Sequence, residues 1–162
     1  MRLFVAVLVL GFLLFGFVPS GAVAQGKAPK FWISNLEGER FDSRKHKGPM
    51  IISFFFVNCA PCIEEIPALY KMAGKLSPET ALLFIDPVEE DTSEMIKAFA
   101  KRLNVPLSFF YHDSLGRIGK KYYKGKANMA FPTIFGVKDG KVVFRINQLN
   151  EEAKKKIRDL FG

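Results

Sequence analysis

The chain has 162 residues, 49% hydrophobic and 14% aromatic, with 24 Lys and Arg against 16 Asp and Glu for a net charge of +8. That length fits one domain with a real hydrophobic core and calls for no second one. The positive charge, thickest at Lys120-Lys121, Lys124, Lys126 and Lys154-Lys155-Lys156, comes with no interleaved aromatic platform or groove-reading motif. It reads as a solvated surface, with no nucleic-acid partner.

In chain order, Arg2 precedes an apolar run over residues 3–18 and a small-residue stretch ending Ala22-Val23-Ala24. This is the pattern of a secretory signal peptide, residues 1–24, cut after Ala24. The competing reading is an uncleaved anchor, because the run falls just short of the ~18 to 20 apolar residues that a spanning helix needs. No cysteine follows the run, so a lipid-modified N-terminus is not indicated. Cleavage leaves one domain, residues 25–162.

Residues 26–30 read as a flexible lead-in. Residues 31–41 carry apolar positions on both sides of Glu37-Gly38, which predicts a small hairpin. Residues 50–57 are apolar almost throughout, as expected of a central strand covered on both faces. Ile63, Ile66, Leu69, Tyr70, Ala73 and Leu76 then follow helical spacing, with Glu64 and Glu65 in the first turn and Pro67 expected to kink the helix. Residues 81–86 predict a second buried strand, followed by an acidic loop, Glu89-Glu90-Asp91. Thr92 or Ser93 caps a helix with Met95, Ile96, Phe99 and Leu103 on one side. Residues 107–111 suggest another strand and residues 114–123 a short helix. Residues 131–137 and 141–146 flank Asp139-Gly140, a strong hairpin signal. Asn150 is the expected N-cap of a closing helix that buries Ala153, Ile157, Leu160 and Phe161. Strand, helix, strand, helix is the α/β order.

Cys59-Ala60-Pro61-Cys62 holds the only two cysteines, directly after the apolar strand and at the start of a helix. A disulfide between them closes too small a loop to constrain the unfolded chain much, so chemistry is the better explanation than scaffolding. Free N–H groups and the dipole at a helix start stabilise a thiolate, the species that attacks a disulfide. Cys59, at the helix mouth and expected to be accessible, is the candidate attacking thiol. Cys62, one turn in and expected to be buried, displaces the partner from the resulting mixed disulfide. Pro61 restricts the turn and has no N–H to offer, which bears on thiolate stability. His46 and His112 are far from the cysteines in sequence, and a single Cys-x-x-Cys is a poor zinc signature, so no metal site is expected and each histidine is placed on the surface or in a loop. The Phe-rich set, among them Phe54, Phe55, Phe84, Phe110, Phe135 and Phe144, reads as core plus a rim around the thiols.

Together, the strand before the cysteine pair, the crossover to a second strand and the late Phe131-Pro132-Thr133 hairpin resemble the thioredoxin superfamily. The signal peptide, the early hairpin and Cys59-Ala60-Pro61-Cys62-Ile63-Glu64-Glu65-Ile66-Pro67 resemble its exported TlpA/ResA-like thiol-disulfide oxidoreductases, with their Cys-x-Pro-Cys-x-x-Glu-x-Pro signature. The resemblance implies an α/β thioredoxin fold: a central mixed β-sheet flanked by helices, with an N-terminal β-hairpin extension. It implies a cis Pro132 facing the cysteines, where the residues alone suggest only the start of an edge strand. Asn58, Ala60, Phe131 and Thr133 become the expected substrate-binding positions, and Glu65 a buried acid that passes a proton. It further implies a periplasmic, monomeric reductant with no cofactor beyond the dithiol, fed by a membrane electron donor and acting on oxidised protein thiols such as apocytochrome c.

Two positions depart from the pattern: Asn58 stands where many members have tryptophan, and Ser53 where many thioredoxins have a buried acid. The second leaves the proton acceptor for Cys62 unassigned. Two other functions fit the residues less well. A copper-binding chaperone expects a longer cysteine spacing and a dedicated histidine, and a thiol peroxidase expects threonine where Phe56 stands.

Overall fold

The computed structural model describes residues 26–124 and 129–162. The expected leader, residues 1–24, lies outside the described residues. A two-stranded sheet pairs β1 (Trp32–Ser34) with β2 (Arg40–Asp42). A five-stranded mixed sheet has the order β5-β4-β3-β6-β7, built from β3 (Met50–Phe54), β4 (Ala81–Asp86), β5 (Phe110–His112), β6 (Thr133–Lys138) and β7 (Lys141–Ile146). β3, β4 and β5 run parallel, while β6 is antiparallel to β3 and to β7.

Parallel neighbours need crossovers. The first is α1 (Ala60–Ala73) and the second contains α2 (Ser93–Leu103); α3 (Arg117–Tyr122) and α4 (Glu151–Phe161) complete the fold. Side chains alternate across the sheet. Ile51, Phe55, Phe84 and Phe110 face α1, α2 and α4 in one core, and Ile52, Phe54, Ile85 and Phe135 face α3 and the hairpin in the other. β3 is buried at every residue, as its unbroken apolar run requires.

Local signals explain most boundaries. Thr92 caps α2 by accepting the Met95 N–H, and Asn150 caps α4 by accepting that of Ala153. Asp139 and Gly140 both have positive φ, 51° and 70°, as a two-residue hairpin turn demands. In β6, a Cβ on Gly136 would stand 2.2 Å from the Phe144 ring, so only glycine lets β7 pack there.

Several expectations need correction. The lead-in is not free: Lys27 bridges Lys141, the Ala28 N–H bonds the Gly140 carbonyl, and Ala28 is buried. It lies along β7 because that strand would otherwise present an open edge. β3 ends at Phe54, three residues early, although the Phe55 N–H still reaches the Ile85 carbonyl. Residues Leu107–Phe109 form a 3-10 turn, and only Phe110–His112 pair as a strand. α1 starts at Ala60, so no acid lies in its first turn; Glu64 and Glu65 belong to the second. It runs through Pro67 as one element. Leu160 is only half-buried.

Candidate active site

The site begins where β3 gives out. Residues 55–58 leave the sheet and turn into α1 through Cys59, the N-cap, whose side chain makes no capping bond. The Cys59 N–H reaches the Phe56 carbonyl and the Cys62 N–H the Cys59 carbonyl, each at 3.1 Å, which closes a tight turn. Pro61 fits within that first turn because the N–H it lacks would have had no helical partner. Cys59 and Cys62 are joined, with Sγ atoms 2.02 Å and Cα atoms 5.3 Å apart.

Both cysteines are buried, Cys59 at 2% and Cys62 at 0% exposure, which corrects the expectation of an accessible Cys59. In the disulfide form the Cys59 side chain turns inward to its partner and joins the apolar cluster of Val57, Ile66 and Ile134. Asn58, Ala60 and Pro61 are exposed around it. Ile63 and Met95 are exposed at 40% and 41%, which gives the surface near the disulfide an apolar character. A groove of about 340 Å³ is lined by Val57, Asn58, Met95, Ala98, Phe99 and Arg102.

β6 brings in the second loop. Thr133 is the register partner of Phe54, so Phe131-Pro132 lies at the end of the sheet from which the Cys59 turn springs, and its peptide bond is cis. The half-buried Phe131 ring meets Phe56 edge-on at 5.4 Å and so joins the two loops. Thr133 is wholly buried, and its hydroxyl donates to the Ala130 carbonyl at 2.7 Å, which also accepts from the Tyr123 hydroxyl at 2.8 Å. Its side chain holds the loop and is not open to a partner.

Glu65 sits one turn beyond Cys62. Its Oε1 accepts the Leu149 N–H at 2.9 Å, while Oε2 is buried without a partner. Burial raises this carboxyl above its ordinary range, and the Leu149 N–H pulls the other way.

Two other acids at this end of the sheet went unrecognised in the sequence. Asp91 is buried in the loop after β4, and its Oδ2 accepts the Val57 N–H at 3.0 Å. Asp86, the last residue of β4, is fully buried; Oδ1 accepts the Val88 N–H at 2.9 Å and Oδ2 has no partner. An Asp at a predicted strand end and another in an acidic loop look solvated by composition alone; the pairing of β4 buries Asp86, and the fold-back of the following loop brings Asp91 to the Val57 N–H.

His46 approaches the Pro49 carbonyl, and His112 ends β5 with Nδ1 3.3 Å from Ser93 Oγ. His112 is half-buried, with Nε2 enclosed and unpartnered, and is a strand residue. Among the described residues no three His, Cys, Asp or Glu side chains gather as a metal site, and no helix is long and apolar enough to cross a membrane. A cavity of about 390 Å³, lined by Tyr122, Tyr123, Phe135 and Arg145 among others, belongs to the α3 face, away from the cysteines.

The AhpC/TSA family profile matches residues 24–145. The chain is 28% identical over 138 residues to thiol-disulfide oxidoreductase ResA of Bacillus thuringiensis subsp. konkukian, covering 82% of this chain and 73% of that protein. Among solved structures it superposes on StoA from Bacillus subtilis with a TM-score of 0.67 at 20% identity, covering 82% and 96% of the two chains. A thioredoxin family thiol:disulfide interchange protein from Chlorobium tepidum gives 0.70 at 20% identity over 84% and 95%. These likenesses show the thioredoxin fold.

Proposed function

Since the chain belongs to the AhpC/TSA family, we propose that it is a thioredoxin-fold thiol-disulfide oxidoreductase that exchanges disulfides with other proteins through Cys59 and Cys62. The observation that carries this reading is the Cys59–Cys62 disulfide at the uncapped start of α1, beside exposed apolar side chains. The relatives named for this activity support it.

In the reduced protein, the Cys59 thiolate attacks a partner disulfide. A Cys59–partner bond forms and the partner S–S bond breaks, releasing one partner thiolate. Cys62, as its thiolate, then attacks Cys59 Sγ, so the intramolecular disulfide forms and the second partner thiolate leaves. Both released thiolates take protons from water or a nearby acid, and the partner gains two electrons. The unpaired N–H groups of the first α1 turn stabilise the Cys59 thiolate. Asn58, Ala60 and Phe131 form the surface a partner meets, with Pro132 beside them. Glu65, with a free Oε2 and a raised proton affinity, is the acid we assign to proton transfer near Cys62. Glu65→Gln is then expected to slow exchange and change its pH dependence; an unchanged rate and profile would reduce Glu65 to a tether for Leu149.

We place the protein outside the cytoplasm as a soluble monomer, exported by residues 1–24 and acting as a reductant. It is recharged by a membrane dithiol donor and serves oxidised proteins, apocytochrome c among them, with no redox group beyond the two cysteines. The test is the redox potential of the purified protein, equilibrated in graded thiol buffers and read by alkylation mass. A value of about −270 mV or lower supports the reductant; one of about −120 mV makes the protein an oxidant and overturns that direction.

A further inference from the structure

The cavity of about 390 Å³ on the α3 face combines aromatic rings with positive charge. Tyr122 and Tyr123 supply rings whose centroids lie 5.1 and 5.6 Å from that of Phe135. Lys27, Lys121, Lys124 and Arg145 supply the charge, and no acidic side chain among the described residues lines the space. Arg145, the register partner of Phe135 on β7, lays its guanidinium over the Tyr123 ring at 5.0 Å and the Phe135 ring at 5.5 Å. Tyr123 is itself pinned, since its hydroxyl donates to the Ala130 carbonyl at 2.8 Å. On the Lys27 side, the Val142 N–H bonds the Gly26 carbonyl at 3.0 Å and Lys27 bridges Lys141, so the cavity is formed without a ligand.

Stacking occupies one face of the guanidinium and leaves its edge donors for an acceptor. A half-buried cation ordinarily has an anion beside it. The ion pairs among the described residues are Arg44–Asp42, Lys154–Glu151 and Lys155–Asp159, none of which involves the four cations here. Residues 1–25 and 125–128 contain no Asp or Glu, so no carboxylate of this chain neutralises them. We propose that this cavity binds a small amphipathic organic anion, with a flat aromatic body against the ring wall and a carboxylate, sulfonate or phosphate group on Arg145 among the three lysines. Its volume falls within the ~300 to 1,000 Å³ of small-molecule sites. Inorganic phosphate would meet the cations but leave the rings uncovered, and a neutral aromatic would leave the charge unanswered.

The site lies away from Cys59 and Cys62 and does not rest on disulfide exchange, so either reading can fail without the other. The probe is 8-anilinonaphthalene-1-sulfonate, titrated by fluorescence into the purified oxidised protein, with N-phenyl-1-naphthylamine as the same ring system without the sulfonate. The anion is expected to saturate one site at least about 10-fold more tightly than the neutral probe, with an advantage that shrinks as salt rises. Arg145→Gln should remove most of that advantage, Lys121→Gln should weaken the anion about 2- to 3-fold, and exposed Lys101→Gln on α2 should leave it unchanged. Val142→Phe, which fills the cavity and keeps every cation, should abolish binding of both probes and serves if Arg145→Gln does not fold. Equal affinity for the two probes, or Arg145→Gln and Val142→Phe variants that bind the anion as the wild type does, would overturn the proposal.

Discussion

The two faces of the five-stranded sheet are built from similar apolar side chains and differ in what else they bury. On the α3 face, Phe54 lies 5.5 to 5.8 Å from the rings of Tyr122, Tyr123 and Phe135. The buried Tyr122 hydroxyl there has no partner, but the buried acid beside α3, Asp113, has both carboxylate oxygens bonded to the Arg117, Ile118 and Gly119 N–H groups. On the α1 and α2 face, a similar cluster around Phe55, Phe84 and Phe110 gives way at its upper end to the disulfide and to three acids, Glu65, Asp86 and Asp91. Unpaired carboxyl oxygens in such a place cost stability. One face therefore holds the fold together, and the other gives up stability to place charge and protons next to sulfur.

The contrast predicts opposite responses to substitution. The largest change should come from Phe54→Ala, which empties the centre of the aromatic face and is expected to cost about 3 to 5 kcal/mol in urea denaturation. The alkylation profile of Cys59 should not change. If the profile moves with it, the two faces are not separable.

Next comes Asp86, and the sign is the reverse. Its folded-state proton affinity is raised, to about 8 from an ordinary 3.8. Its contribution to stability is complete below about pH 4 and is lost as pH rises toward about 8. Asp86→Asn should therefore stabilise the protein near pH 8 by up to about 5 kcal/mol relative to its effect near pH 4. A pH-independent effect would mean that Asp86 is not neutral in the folded protein. Gly136→Ala should cost about 1 to 3 kcal/mol, because the Phe144 ring must move. Smallest, Asn150→Ala removes the α4 cap and should cost about 1 kcal/mol, with Asn150→Ser recovering most of it.

The aromatic face was far more legible in the sequence than the chemical one. Strand residues 81–86 and the Asp139-Gly140 turn follow from apolar content and turn chemistry, which are local properties, and the structure reproduces them. Asn150 and Thr92 were recognisable as caps for the same reason. Local pattern failed where tertiary contacts decide. Residues 26–30 carry no strand signal but are held by the open edge of β7. Residues 55–57 are as apolar as β3 yet leave the sheet, because the chain must turn there into α1. The cysteine pair stood out at once, whereas Asp86 and Asp91 did not. Their importance comes from a fold-back of the β4 loop under Val57 that no periodicity reveals.

Whether Cys59 attacks and Cys62 resolves is decided by trapping the mixed disulfide. Reduced Cys59→Ser and Cys62→Ser variants would be mixed with a disulfide-containing protein, quenched with acid and resolved by mass. Cys62→Ser is expected to accumulate a mixed disulfide through Cys59 while Cys59→Ser stays free. A mixed disulfide formed faster through Cys62 in Cys59→Ser, or none in either variant, would contradict it.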